Sequence, residues 1–388
     1  MKKNISIYAL IAMFAIILVS CGTENSTNPL NKSSSQSSSY LVVLASTSSN
    51  IIQGFAGSES TVREILKDHS ISLYKVTAVW TTVIHGFAAN LTAHEVELLR
   101  TDKRISLIEP DNTIILDDKI VKMNQNTLQA QTTPWGITAI GGTTAASSTT
   151  GVAWIVDTGI DYTHPDLNVN TSLSKNFVNT QKNANDDHGH GSHVAGIVAA
   201  KNNTVGVVGV CSGAAVIAVK VLDKNGSGQI SWIVSGLDYV GKNKIANKCN
   251  VVNMSLGGSP NTTLDNAVTG LASLGVSISL AAGNSAANAG NYSPSRVNGS
   301  NIYTVSAYDA NGAFATSFSN YGNPPVDYSA PGVSVYSCYK GGAYATMSGT
   351  SMAAPHVAGL LLVGNGSTTF SGYVTNDPDG TADKKAHK

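Results

Sequence analysis

The sequence predicts an α/β protein with a doubly wound, mostly parallel sheet, preceded by a small α+β unit of order βαββαβ. Beyond residue 130, mostly apolar runs alternate with amphipathic ones, as expected when strands are buried on both faces and helices cross over between them. Between residues 40 and 110 the β-rich runs are shorter and two helical patterns separate them. The chain has 388 residues, more than the roughly 100–200 of one ordinary domain, so a large domain with a smaller companion is the natural organisation.

The chain opens with "MKK", a basic start, followed by the apolar run "ISIYALIAMFAIILV" at residues 5–19. Fifteen residues fall short of the ~20 of a membrane span and suit a signal peptide over residues 1–20. "LVSC" at 18–21 is similar to the bacterial lipobox, which implies a lipidated Cys21. Residues 21–39, rich in Ser and Asn, cannot bury a core and read as a flexible tether. Structure is expected from Tyr40 onward.

"YLVVLAS" reads as a strand and "STVREILKDH" as a helix; "ISLYKVTAVW" and "TTVIHGFAANL" are two further β-rich runs. "TAHEVELLRTD" opens with a capping box, Thr92 and Glu95, and "RISLIEP" closes the unit as a strand. In the larger part, "GVAWIVD", "AAVIAVKVL", "VVNMSL" and "VSISLAAG" read as buried parallel strands, with "ISWIVSGLDYVGKNKIA" and "TTLDNAVTGLASLG" as helices between them. Ligands of such sheets bind at the carboxyl ends of the strands. Those ends carry Asp157 and Asn284, while Ser351 in "GTSMAAPHVAG" begins a helix, where free N–H groups favour a developing anion. A carboxylate, an imidazole, an amide and a serine form the inventory of acyl transfer: nucleophile, base, orienting acid and oxyanion donor.

In chain order, "VDTGID", "HGSHVAG", "NMSLGG", "AAGN" and "GTSMAAPHVAG" resemble the blocks of the subtilisin family. "YLVVL", "HGFAANLTAHEVELLR" and "ISLIEPD" resemble that family's inhibitor propeptide, so the likeness covers residues 40 to 364. It implies a ferredoxin-like propeptide at 40–117, a processing linker at 118–130 and a subtilisin-like peptidase domain at 131–388. The implied activity is a secreted serine endopeptidase made as an autoprocessed zymogen. Asp157, His190 and Ser351 would form its triad, with Asn284 as oxyanion donor and no catalytic cofactor. A scaffold that only binds peptides would not need this complete set.

"HGHGSH" at 188–193 admits a second reading, because imidazoles at this spacing hold zinc in some hydrolases. H-x-H-x-x-H resembles the first ligand cluster of the metallo-β-lactamase fold, which carries an Asp before its third His where this chain has Ser192. The subtilisin alignment instead makes His190 the general base and His193 a structural residue.

The same resemblance implies that "NGSGQ", through Gly226, Ser227 and Gly228, and "SLGG", through Ser255, Leu256 and Gly257, flank an extended substrate strand. Ala282 and Gly283 complete the wall around the P1 side chain, small and apolar without a charged floor, so apolar and aromatic P1 residues are expected. It also implies a structural calcium held by Gln131, Asp166 and Asn203 side chains with carbonyls of Lys201, Val205 and Val207.

Beyond Cys21 the cysteines number three, an odd count. Cys211 and Cys249, each preceding a predicted parallel strand, are the expected disulfide of an oxidising compartment, leaving Cys338 as a buried thiol. The 24 basic and 24 acidic side chains balance, so nothing favours nucleic acid or an anionic membrane surface. The expected partners are polypeptide substrates and the chain's own propeptide, acting as inhibitor and folding template on a monomer. Cleavage near 118–131 would leave the lipid on the propeptide and release the protease from the membrane to the periplasm or outside. Only 37 residues follow Ser351, and after "GLLLVGNGS" the tail turns polar, which leaves the expected cover of the sheet thin.

Overall fold

The structure, a computed structural model, describes residues 36–45, 54–117, 119–124, 130–180 and 182–388. The signal peptide, Cys21 and most of the tether lie outside the described residues, as do 118 and 125–129 of the linker. The N-terminal lobe is built from β1 (Ser37–Leu44), α1 (Gly54–Asp68), β2 (Val76–Trp80), β3 (Gly86–Thr92), α2 (Ala93–Arg100) and β4 (Ile105–Pro110). Its antiparallel sheet has the order β2-β3-β1-β4. The Thr92–Glu95 capping box is formed at the start of α2. β1 begins earlier than expected: Ser37, Ser38 and Ser39, assigned to the tether, pair with Thr92, Leu91 and Asn90. Polar side chains do not prevent this, because the ladder is made by backbone groups and Ser39 Oγ donates to Asp111 at 2.8 Å.

Two short strands follow, β5 (Thr113–Ile115) and β6 (Lys119–Asn124). The remaining strands are β7 (Thr144–Ala145), β8 (Val152–Asp157), β9 (Lys175–Asn176), β10 (Cys211–Ser212), β11 (Ala215–Lys220), β12 (Ser227–Gln229) and β13 (Asn250–Met254). After them come β14 (Ser277–Ala281), β15 (Ile302–Tyr308), β16 (Val326–Pro331), β17 (Val335–Tyr339), β18 (Ala343–Ser348), β19 (Thr369–Tyr373) and β20 (Lys384–His387). Helices α3 (Trp135–Ala139), α4 (His190–Ala199), α5 (Ile230–Asn243), α6 (Thr262–Ser273) and α7 (Thr350–Val363) lie between them.

The large sheet has nine strands in the order β19-β20-β16-β15-β14-β13-β8-β11-β9. All adjacent pairs are parallel except β19 with β20. β8, β13 and β14 are buried at every position; β8 is apolar up to Asp157, while β13 and β14 also bury polar residues such as Asn253 and Ser279, the latter donating to the Ala354 carbonyl oxygen. α4 and α7 pack with Ile155 and Val251 in one core cluster, and α5 and α6 pack with Trp154 and Val252 in another. The order reverses beside β8, and a crevice opens at the strands' carboxyl ends.

The N-terminal lobe joins the second cluster through period-two alternation. Val42 and Leu44 of β1 face the lobe's own core with Ile65 and Phe87, while Leu41 and Val43 join Leu237 and Leu271 of α5 and α6. Three carboxylates fix this contact. Asp238 on α5 accepts the backbone N–H groups of Thr81, Thr82 and Val83 at 3.1, 2.7 and 3.2 Å. Glu109 accepts from Thr262 N and Thr263 N, and Asp111 from Ser231 N, so both supply acceptors to first-turn donors that a helix leaves without partners. Gly270 permits the approach: a Cβ there would lie 1.8 Å from the Val83 carbonyl oxygen. β5 then adds antiparallel to β12, and β6 antiparallel to β18.

Two expectations are corrected. Cys211 and Cys249 are both free thiols, so the expected disulfide is not formed. Cys249 Sγ points instead at the Leu361 carbonyl oxygen, 3.8 Å away on α7, and Cys211 sits on β10, which pairs with β7 rather than with the strand after Cys249. Burial pushes the Cys211 thiol up to about 11, which disfavours the thiolate needed for oxidation. Cys338 is the buried thiol expected. The polar C-terminal tail also does more than expected: it extends the sheet, β20 pairing with β16 at Ser329 and Lys385, and β19 with β20. Among the described residues no helix is long and apolar enough to cross a membrane.

Glu109→Ala combined with Asp111→Ala should loosen the lobe selectively. Each charged contact contributes about 1.5–3 kcal/mol, so local opening of β1–β4 should become at least about tenfold more frequent. Hydrogen exchange checks this, with faster exchange in residues 37–110 and unchanged exchange in β8, β13 and β14.

Candidate active site

Asp157 ends β8 with its side chain fully buried. His190 is the first residue of α4, and its Nδ1 lies 2.8 and 2.9 Å from the two Asp157 carboxylate oxygens. The loop before α4 is held by Asp186, a residue the sequence reading passed over. Its carboxylate accepts the N–H groups of His188, Gly189 and Ser192 and the hydroxyls of Thr158 and Ser192. Thr158 Oγ1 in turn accepts from Gly191 N at 2.9 Å. The donors at the start of α4 are thus tied to the residue after Asp157, which fixes the imidazole against its carboxylate. An Asp just ahead of a helix start was the signal that could have revealed it.

Ser351 stands in the first turn of α7, where Ser351 Oγ donates to the Ser255 carbonyl oxygen at 3.3 Å and Ser255 Oγ donates to the Ser351 carbonyl oxygen at 2.8 Å. These two bonds fasten the helix start to the segment after β13. Asn284 follows β14, and its Oδ1 accepts the backbone N–H and the hydroxyl of Thr350 at 2.8 and 2.9 Å. With Oδ1 engaged there, the Nδ2 donor occupies the opposite side of the amide. Thr350, also missed, was indistinguishable in sequence from an ordinary helix-start threonine.

A pocket of about 200 Å³ adjoins these groups, lined by Ser351, Asn284, Leu256, Gly257, Ala282 and Gly283 among others. Ser255 lines it as well. Ser227 and Gly228 belong to β12 and Gly226 precedes it; this edge carries β5, and Leu116 N donates to the Gly226 carbonyl oxygen. Of the substrate residues expected from the sequence, Ser255, Leu256, Gly257, Ala282 and Gly283 line this pocket, with Tyr292 and Ser295 as added lining, whereas Gly226, Ser227 and Gly228 lie outside its lining.

The three histidines of "HGHGSH" diverge. His193 Nε2 faces the Val335 and Ala345 carbonyl oxygens at 3.2 and 3.0 Å, and the rings of His188 and His190 are 6.4 Å apart. Burial, then the neighbouring His190, holds the His188 imidazole below its ordinary pKa. Zinc ligation would need the three imidazoles to converge on a single ion.

Residues 149–364 match the model described as the subtilase family, and 39–117 match that of the I9 peptidase inhibitor. The chain belongs to the subtilase family. The subtilase is 39% identical over 297 residues to an alkaline serine protease of Corniculantispora psalliotae, covering 74% of this chain and 72% of that one. It is 46% identical over 236 residues to subtilisin Savinase of Lederbergia lenta, covering 59% of this chain and 83% of that one. Among solved structures it resembles a cold-adapted subtilisin-like serine proteinase with a TM-score of 0.58 and 35% identity, covering 65% of this chain and 97% of that one. This subtilase is a subtilisin-like serine endopeptidase whose N-terminal lobe is an inhibitor-type propeptide.

The residues expected to hold calcium come from three segments: Gln131 before α3, Asp166 after β8, and residues 201–207 after α4. Asp166 is fully buried; its Oδ1 accepts from Asn203 Nδ2 at 2.7 Å, and its Oδ2 from Val207 N and Tyr344 OH. Gln131 Oε1 accepts from Asn203 N, and Lys201 N donates to the Asp166 carbonyl. Asn203 Oδ1 faces away from the carboxylate and accepts from Val205 N at 2.8 Å, so a hard cation would need this amide to give up that bond and turn its oxygen toward Asp166.

Thr350→Val keeps the shape of the threonine but removes the hydroxyl that Asn284 Oδ1 accepts. Turnover should fall roughly tenfold, from one buried hydrogen bond, with KM little changed, in steady-state kinetics on a peptide substrate.

Proposed function

We propose that this subtilase cleaves peptide bonds through Asp157, His190 and Ser351, with Asn284 Nδ2 and the α7 N-terminus as oxyanion donors. The observation that carries the reading is the buried contact of His190 Nδ1 with both carboxylate oxygens of Asp157, beside which Ser351 and Asn284 line one pocket of their own. Asp157 holds the tautomer that leaves Nε2 basic, and His190 takes the Ser351 proton as Oγ attacks the substrate carbonyl. The oxyanion forms where the helix dipole and the Asn284 amide supply positive potential. His190 then delivers the proton to the departing amine, and water resolves the acyl-enzyme. The neutral pocket wall of Leu256, Ala282 and Gly283 supports broad tolerance for apolar and aromatic P1 residues.

A calcium ion would be held by Gln131, Asp166, Asn203 and the carbonyls of Lys201, Val205 and Val207. When bound it cross-links the residues before α3 to the loop after α4, acting on stability alone. The N-terminal sequence supports export as a lipoprotein through Cys21, with the mature enzyme released once the propeptide is separated. Wild type and Ser351→Ala should then fractionate differently, the variant staying with the membrane; identical partitioning would rule out release by self-processing.

Hydrolysis of denatured casein tests the catalytic reading. Ser351→Ala should lower turnover by roughly 10⁴-fold or more, and a serine-directed phosphonate should abolish it. A chelator should lower the melting temperature, since an ion at a hundredfold excess over its Kd contributes about 2.7 kcal/mol, while short assays at low temperature keep their initial rate. Immediate loss of activity with chelator at low temperature would contradict a purely structural ion.

A further inference from the structure

Residues 118–130 were expected to be a processing linker, yet Lys119–Asn124 form β6. The strand pairs antiparallel with β18, from Lys119 opposite Ser348 to Asn124 opposite Tyr344. β18 leads through Gly349 and Thr350 into Ser351. On the other side of the crevice, β5 pairs with β12, and Leu116 N donates to the Gly226 carbonyl oxygen at 3.0 Å. Ile114 is 3% exposed and Ile115 is 65% exposed, the alternation of a strand seated on an edge. Asp117, next in sequence, borders the pocket with Ser351 and Asn284. The chain thus reaches the serine as one added strand and leaves as another.

We propose that the β18 edge, Tyr344 to Ser348, binds the leaving half of an extended polypeptide, that Lys119–Asn124 occupies it in the precursor, and that the bond following Asp117 is cut first. This rests on the catalytic reading above. Ser351 Oγ bonds to the Asp117 carbonyl carbon, and its proton passes through His190 to the next residue's nitrogen as that C–N bond breaks. Water then cleaves the ester, leaving a free Asp117 carboxyl and restoring the hydroxyl. The propeptide ends at Asp117, but β6 remains covalently part of the enzyme.

Because β6 is tethered, its local concentration exceeds that of any free substrate, and its backbone bonds to β18 survive the first cut. The leaving side therefore stays blocked until a second cut beyond Asn124. The first cut is also restrained. Among the described residues lining the pocket none is cationic, and the Asp117 side chain remains exposed rather than filling it. An apolar residue there would gain the burial that Asp117 forgoes.

The full precursor, incubated and followed by intact mass and N-terminal sequencing, should first give an enzyme beginning at residue 118 and later a shorter one. Asp117→Leu should make the first cut at least about tenfold faster. The two enzyme species, separated from the propeptide, are then compared on a p-nitroanilide, which has no leaving-side residues, and on a quenched peptide with four of them. The species beginning at 118 should match the shorter one on the anilide but show a KM at least about tenfold higher on the peptide. Val121→Pro and Lys122→Pro are made separately, since one of two neighbouring strand N–H groups faces β18; one of them should remove that difference. A first new N-terminus beyond Asn124, or equal KM values on the peptide, overturns the inference and leaves the catalytic reading intact. A wild-type precursor that neither cleaves itself nor reacts with a fluorophosphonate overturns both.

Discussion

Residues Thr350 to Leu362 of α7 are all buried, so this helix has no polar face to turn toward water and its position is set by packing against the strands around it. A helix held that way delivers its N-terminus to one point. Ser255 and Ser351 exchange hydrogen bonds through carbonyl and hydroxyl, and Thr350 bonds Asn284, so the ends of β13 and β14 are registered against Ser351. The end of β8 is registered separately, through Thr158, Asp186 and the start of α4. The placement of Asp157, His190, Asn284 and Ser351 follows from anchoring two helix starts to three strand ends of one sheet.

The propeptide exploits the same feature of helices. Glu109 and Asp111 bring carboxylates to the starts of α6 and α5, while Asp238 of α5 gathers three N–H groups of the turn before β3. These are directional contacts between groups that each fold would otherwise leave to water. They orient a broader apolar contact, in which Leu41, Val43 and Trp80 join α5 and α6 in one buried cluster. The lobe is therefore specific through its carboxylates and tight through its apolar face.

Much of this was legible in the sequence. Asp157, Asn284 and Ser351 sit where an apolar run stops or a helix begins, so period and punctuation alone bring them near one edge. His190 needed the resemblance, because three histidines in six residues are ambiguous until a helix start is placed. What was not legible depends on partners distant in sequence. "KIVKMN" has no clear period of two and becomes a strand only because β18 offers an edge; the polar tail becomes β19 and β20 for the same reason. The disulfide expectation failed because adjacency to strands does not fix thiol direction, and Cys249 turns toward α7. Asp186 and Thr350 act by capping and bridging, roles that exist only once two elements meet.

Strand addition has a consequence for selectivity. The ladders of β5 with β12 and β6 with β18 use main-chain groups that every extended polypeptide possesses, so they discriminate little between substrates. An enzyme that recognises backbone in this way is also open to attack on itself and its neighbours while still being assembled. Tethering solves this without a special inhibitor sequence: segments of the same chain fill the edges at an effective concentration that free peptides do not reach. The proposed selection among substrates then falls to side-chain pockets, above all the neutral one beside Ser351, where Asp117 leaves its carboxylate exposed.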